Sequence, residues 1–274
     1  MTVALVGAGP GDPGLITVRG LELLRRCDAV VYDRLVAPEL VEETPADALR
    51  IPRDGLAQEE IDALLVTLGR QGLEVVRLKG GDPYVFGRGG EEALALSEAA
   101  IPFEVVPGIS SIAAVPAAAG IPVTHRGLAD RVTIATAHAA DGSPPDYASL
   151  AAAGGTLVLF MGLGRLRELA VGLIGAGTAA ATPAAVVARG TRPDQAVVTA
   201  ALDEIAEAAE GLPGPALVVV GDVVALSGRL GLQGRLARLE DAADTAHGLT
   251  DPVLVLDEGK ADEALATRAE ARSR

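Results

Sequence analysis

Short runs of Val, Ile, Leu and Ala alternate with helix-length segments in the N-terminal part of the chain, and this rhythm restricts the fold more than any other feature. Residues 3–6, 29–32, 74–78 and 103–106 read as buried strands, with helices expected near 18–27, 59–68 and 91–99. Strands that are apolar on both faces and separated by helices belong in a mainly parallel sheet covered on two sides. The helix at 59–68 sets Ile61, Leu64, Leu65 and Leu68 on one face and stops near Gly69 and Gly72. A second strand series is expected at 131–137, 156–161, 184–188, 195–199 and 215–220. Its helical intervals are shorter, and two strands flank the brief connection 189–194, so this sheet reads as mixed. The small, proline-bearing stretch 107–122 lies between the two series. The expected organisation is an α/β domain at 1–112, a second at 113–228, and an acidic tail at 229–274, loosely helical or partly disordered.

Composition removes several function classes. The 274 residues are 49% hydrophobic, enough for sizeable cores. Aromatics make up 2%, Trp is absent and the formal charge is −14, which argues against the basic, stacking surfaces of nucleic-acid binding. The tail at 230–274 contributes only −3 of that charge, so the body is acidic too. No run reaches the roughly 18 apolar residues of a membrane span, and the chain opens on a strand rather than a leader, so a cytoplasmic protein is expected. Cys27 is the one cysteine and reads as a small apolar residue late in the first helix. Three histidines without ligand spacing make a metal site unexpected.

The stretch 77–92, Arg-Leu-Lys-Gly-Gly-Asp-Pro-Tyr-Val-Phe-Gly-Arg-Gly-Gly-Glu-Glu, leaves a strand and crowds glycines, a proline and alternating charges into one turn before a helix. Gly80 and Gly81 allow a ligand to approach the backbone, and Asp82 offers a carboxylate. At the carboxyl end of a strand in an open α/β sheet, such a turn reads as a ligand-binding loop. The earlier turn, Gly7-Ala-Gly-Pro-Gly-Asp-Pro-Gly14, superficially suggests a dinucleotide fingerprint, but Asp12 stands where the third glycine belongs, and Pro10 and Pro13 remove donors a pyrophosphate would use. A nicotinamide dehydrogenase is therefore a poor reading. The turn suits a rigid platform for a flat or neutral ligand, or a purely structural bend.

These two turns, with Tyr32-Asp-Arg-Leu-Val36, Val106-Pro-Gly-Ile-Ser-Ser111, Gly120-Ile-Pro-Val-Thr-His-Arg126 and Leu159-Phe-Met-Gly162, resemble the uroporphyrinogen-III C-methyltransferases of the tetrapyrrole methylase family in order and spacing. The resemblance covers about residues 2–227. It implies two α/β domains with S-adenosylmethionine in the cleft between them, a homodimer, and two methyl transfers to C2 and C7 of uroporphyrinogen III, giving precorrin-2 on the way to sirohaem and cobalamin. Carried over by position, the cofactor contacts fall on Pro10, Gly80, Gly81, Asp82, Val85, Ser110, Ser111, Met161, Ala188 and Gly190. Met161 alone would pass for a core methionine. Asp33 matches the family's proton acceptor, with a salt bridge to Arg34 or a helix cap as its plainer role. Arg34, Arg88, His125, Arg126 and Arg189 are candidates for holding the eight substrate carboxylates, with Arg53 and Arg131 weaker. His125, and His138 in a Thr-Ala-His segment, read equally well as structural.

The sequence departs from the family after the second strand. The family's Val-Gly-Lys-Arg is replaced by Arg50-Ile-Pro-Arg53, the loop is shorter, Gly55 counts to the proton-donor lysine's place, and Asp62 stands for an asparagine. Arginine stays protonated, so Arg53 can pair with a carboxylate but donates a proton poorly. A methyltransferase for another precorrin, or a non-catalytic tetrapyrrole-binding protein, are the competing expectations.

Overall fold

The computed structural model describes residues 2–137 and 142–230, all within one compact unit spanning residues 1–232. Its first half runs β1 (Val3–Gly7), α1 (Val18–Leu24), β2 (Ala29–Tyr32), α2 (Pro38–Glu42), β3 (Leu49–Pro52), α3 (Gln58–Arg70), β4 (Val75–Lys79), α4 (Gly89–Glu98) and β5 (Phe103–Val106). Every pairing is parallel, in the order β3-β2-β4-β1-β5. The register, Val3 to Val75 and Phe103, brings the carboxyl ends of β1, β4 and β5 level, so their following turns meet above one edge.

The second half runs α5 (Ser111–Ala118), β6 (Val132–Thr136), α6 (Tyr147–Ala153), β7 (Thr156–Phe160), α7 (Leu166–Gly175), β8 (Pro183–Ala188), β9 (Ala196–Ala201), α8 (Ile205–Ala208), β10 (Ala216–Val220) and α9 (Ser227–Leu230). Its sheet is ordered β6-β7-β10-β8-β9. Only β6 and β7 are parallel, and the other pairings are antiparallel. Two α/β sheets, one wholly parallel and one mixed, are what the two strand series called for.

The apolar runs supply the cores. Val3, Leu5, Ala29 and Val31 face Ile61, Leu65 and Leu68 of α3 on one side of the parallel sheet, while Val6, Val30, Val76 and Leu78 face α1 and α2 on the other. Valine and leucine on alternate positions therefore bury both faces.

Three elements escape the apolar pattern. Strand β3 is a mostly exposed edge strand ending in Pro52, a residue that edges tolerate because no ladder donor is needed. The short helix α2 carries only Leu40 and Val41 inward. Helix α5 occupies the stretch read as a junction, capped by Ser110 and containing Pro116. Helix α1 ends earlier than expected, so Cys27 lies in the turn beyond it, where its buried thiol donates to the Leu24 carbonyl at 3.2 Å. Burial pushes that thiol up to about 11. Among the described residues no helix is long and apolar enough to cross a membrane, and no cluster of three or more His, Cys, Asp or Glu side chains could hold a metal ion. Arg229 and Leu230, the first two residues of the expected tail, end α9, and the rest of the tail and His138 lie outside the described residues.

Candidate functional site

Glycine builds the floor of the site. A Cβ on Gly108 would lie 2.2 Å from the Gly81 carbonyl oxygen, and one on Gly7 would lie 2.4 Å from the Gly108 Cα. The turns after β1, β4 and β5 therefore meet backbone against backbone. Gly9 and Gly81 close the contact with paired bonds, Gly81 N to Gly9 O at 2.7 Å and Gly9 N to Gly81 O at 3.2 Å, both glycines having positive φ. Asp82 reinforces it, accepting from Tyr84 N at 2.9 Å and Gly108 N at 3.0 Å.

Above this floor opens a cavity of about 400 Å³ between the two sheets. Of the residues expected at a cofactor, Pro10, Gly80, Gly81, Val85, Ser111, Met161 and Gly190 line it. Asp82, Ser110 and Ala188 stand behind the wall. Asp82 holds the turns together, Ser110 caps α5 by accepting from Ile112 N, and Ala188 is buried in β8 beside the cavity-lining Val187. Phe86 and Phe160, which stand in two of the quoted motifs but carried no expected role, form an aromatic contact at the cavity with ring centroids 4.9 Å apart. Met161 and Phe86 both adopt positive φ, which turns their side chains out of regular strand and turn paths.

Asp33, in the turn after β2, lines the same cavity with its side chain 20% exposed. The Arg77 guanidinium donates to its Oδ1 at 2.5 Å, and Arg53 Nη1 lies 3.9 Å from the same oxygen. Both contacts fall on Oδ1, which leaves Oδ2 outside them. Arg77 is wholly buried and continues inward, donating to Glu92 Oε1 at 3.0 Å, where Lys79 Nζ also donates at 2.7 Å. Two cations and two carboxylates thus balance beneath the cavity edge. Burial, aided by Arg77, lowers the Lys79 pKa against the pull of Glu92. Further in, Gln58 donates to Asp62 at 2.9 Å, and burial raises the Asp62 pKa.

The expected carboxylate-binding residues separate. Arg189 lines the cavity and is paired with Asp194. Arg34 is exposed beside Asp33 but outside the lining. Arg88 pairs with Glu91 at the start of α4. His125 and Arg126 lie on an exposed turn, the His125 ring 2.9 Å from the Arg126 carbonyl, and neither reaches the cavity. Arg131 pairs with its neighbour Asp130 on the surface. Arg192 lines the cavity, although only the loop that holds it was legible in the sequence.

This arrangement of strand-end turns facing a mixed sheet meets its counterpart in known proteins. Residues 2–206 match the model of the tetrapyrrole (corrin/porphyrin) methylases. The chain belongs to that family. Curated relatives of the methylase include siroheme synthase 1 of Yersinia enterocolitica, 48% identical over 88% of this chain and 52% of that protein. The siroheme synthase of Sodalis glossinidius is 50% identical over 82% of this chain and 49% of that protein. The methylase thus spans about half the length of the curated relatives it matches. Among solved structures, a uroporphyrin-III C-methyl transferase from Thermus thermophilus complexed with S-adenyl homocysteine aligns with TM-score 0.74 and 41% identity, over 82% of this chain and all of that one. A cobalt precorrin-4 methyltransferase aligns with TM-score 0.76 and 31% identity, over 81% of this chain and 95% of that one.

Proposed function

We propose that the methylase transfers methyl groups from S-adenosylmethionine to C2 and C7 of uroporphyrinogen III, forming precorrin-2. The observation that carries this reading is the placement of Asp33, backed by buried Arg77, on the edge of a cavity otherwise lined by backbone turns and apolar side chains. The higher identity to the uroporphyrin-III enzyme supports the substrate.

The cavity suits the cofactor. Its floor exposes backbone at Pro10, Gly80 and Gly81 for the polar end of an amino acid, and Val85, Met161 and Gly190 leave an apolar or open slot for a flat base. When bound, S-adenosylmethionine supplies an electrophilic methyl group on its sulfonium. The chain's own contribution is positioning and proton removal. A methylated pyrrole carbon must shed a proton, and Asp33 Oδ2, free of the two guanidinium contacts, is the oxygen to take it. Arg77 fixes the carboxylate's direction through Oδ1. Arg189, on the cavity lining, and Arg34, exposed beside Asp33, are available for substrate carboxylates, and Arg53 faces Asp33 near the place of the absent lysine. A homodimer belongs to the same proposal, to be read from sedimentation equilibrium.

Anaerobic incubation with uroporphyrinogen III and S-adenosylmethionine, followed by mass spectrometry of the tetrapyrrole, tests this reading. Two added methyl groups are expected. The short loop carrying Arg53, with Asp62 behind it, favours a second reading, methylation of a different precorrin. Cofactor binding with no methylation of uroporphyrinogen III would select it.

A further inference from the structure

The connection between β8 and β9 reaches across the cavity mouth and is anchored at its base. Thr191 N donates to Gln195 Oε1 at 2.7 Å, Gln195 Nε2 donates to the Ala118 carbonyl at 3.3 Å, and Thr191 Oγ1 accepts from Asp12 N at 3.1 Å. From this fixed base the Arg192 side chain runs over Gly11 and donates from Nη2 to the Leu35 carbonyl at 2.6 Å. Gly11 makes the passage possible, since a Cβ there would lie 2.9 Å from Arg192 Cγ and Nε. Arg192 and Leu35 both line the cavity, so this single bond closes its rim.

Arg192 differs from the other cavity-lining arginine, Arg189, in lacking an ion pair among the described residues. A planar guanidinium with five donors is poorly used by one neutral carbonyl. In a protein of charge −14, a guanidinium at the mouth that meets Asp194 only through space, that carboxylate being paired with Arg189, is a point where an anion meets attraction rather than repulsion. A carboxylate takes two of its N–H groups in parallel and brings an opposite charge, where the Leu35 carbonyl offers one neutral acceptor. The exchange is therefore favourable when a carboxylate arrives and reversible when it leaves.

We propose that Arg192 is a latch on the cavity mouth that trades the Leu35 carbonyl for a carboxylate of the incoming tetrapyrrole, and so helps select a polycarboxylate substrate. This rests on the reading that the substrate is a carboxylate-bearing tetrapyrrole, and it is separable from the identity of the methyl acceptor. The probe is uroporphyrin III, the oxidised octacarboxylate, titrated by fluorescence into wild-type protein, Arg192→Gln, Arg192→Lys and the surface control Arg19→Gln, with S-adenosylhomocysteine affinity measured in parallel. Loss of a charged hydrogen-bond partner predicts uroporphyrin binding weaker by about 10-fold or more in Arg192→Gln. A smaller loss is expected in Arg192→Lys, with none in Arg19→Gln, while S-adenosylhomocysteine binding stays within about twofold throughout. In turnover, Arg192→Gln should raise KM for uroporphyrinogen III and leave kcat nearly unchanged. Unaltered uroporphyrin affinity in Arg192→Gln, or an equal loss of S-adenosylhomocysteine binding, overturns the latch. So does wild-type protein that does not bind uroporphyrin. Arg192-dependent binding without methylation of uroporphyrinogen III would uphold the latch and sink the substrate assignment instead.

Discussion

The two sides of the cavity are built on opposite principles. On the parallel-sheet side, backbone touches backbone at Gly7, Gly81 and Gly108, and a buried chain of charges fixes Asp33. On the mixed-sheet side, Gly164 and Gly214 have open space where a Cβ would stand, and the arginines lie on a surface loop. One wall is made to hold a geometry, the other to adapt to what enters. Precision comes from groups with no freedom, and selectivity from groups that keep some.

The sharpest way to break this contrast is a methyl group. Gly108→Ala should cost more than about 4 kcal/mol, the range reserved for severe lesions, because only backbone stands in its way. Gly164→Ala, on the opposite wall, should change stability by less than about 0.5 kcal/mol. Denaturant unfolding of the pair measures both. Equal losses would erase the distinction between the walls.

Arg77→Met tests the charge chain next. It leaves Glu92 and Asp33 without a principal partner, and removing one member of a buried ion pair costs about 3–5 kcal/mol. The same thermal or chemical unfolding experiment reads it, and a variant as stable as wild type would show that the network is not structural. Asp33→Asn should be milder for the fold and severe for chemistry, lowering kcat by about 100-fold or more while S-adenosylhomocysteine affinity holds. Unchanged kcat would move proton acceptance elsewhere.

The smallest effect is expected at Asp62→Asn. Burial raises the Asp62 pKa in the folded protein, so stability is lost as the pH rises from the unfolded value to the folded one, and the loss is complete above it. The asparagine variant should therefore melt slightly higher at neutral pH, and the gain should vanish as pH falls below about 4, where the carboxyl is neutral in both states. Gln58 keeps its acceptor in the variant. A gain that persists in acid would point to packing rather than charge.

How much of this was legible in the sequence follows the same division. Strands β1, β2 and β5 announce themselves because Val and Leu have nowhere else to go, and the glycine turns betray close approach. Strand β3 does not, since an exposed edge needs no apolar run. Asp82 shows the limit of reading a carboxylate by type. A turn carboxylate serves a ligand or two backbone amides with equal ease, and here the amides of Tyr84 and Gly108 claim it. Lys79, one residue past the expected strand, resembles the polar start of a loop, yet it and Arg77 are buried in β4 because Glu92, on the next helix, and Asp33 together balance their charges. Arg192 was invisible for another reason. Its partner Leu35 belongs to the other half of the chain, and no local pattern joins them.

The three-glycine floor also bears on how the protein comes into being. Gly7 ends β1, while Gly81 and Gly108 stand in the turns just after β4 and β5, far apart along the chain, and none of their mutual contacts is local. Contacts of that kind form late and together. During synthesis, β1 and β4 emerge well before β5, so the floor stays open until residue 108 has left the ribosome and docked. The completed parallel sheet thus supplies the floor, and the cavity waits further for the second sheet, whose Phe160, Val187 and Leu217 line its other side.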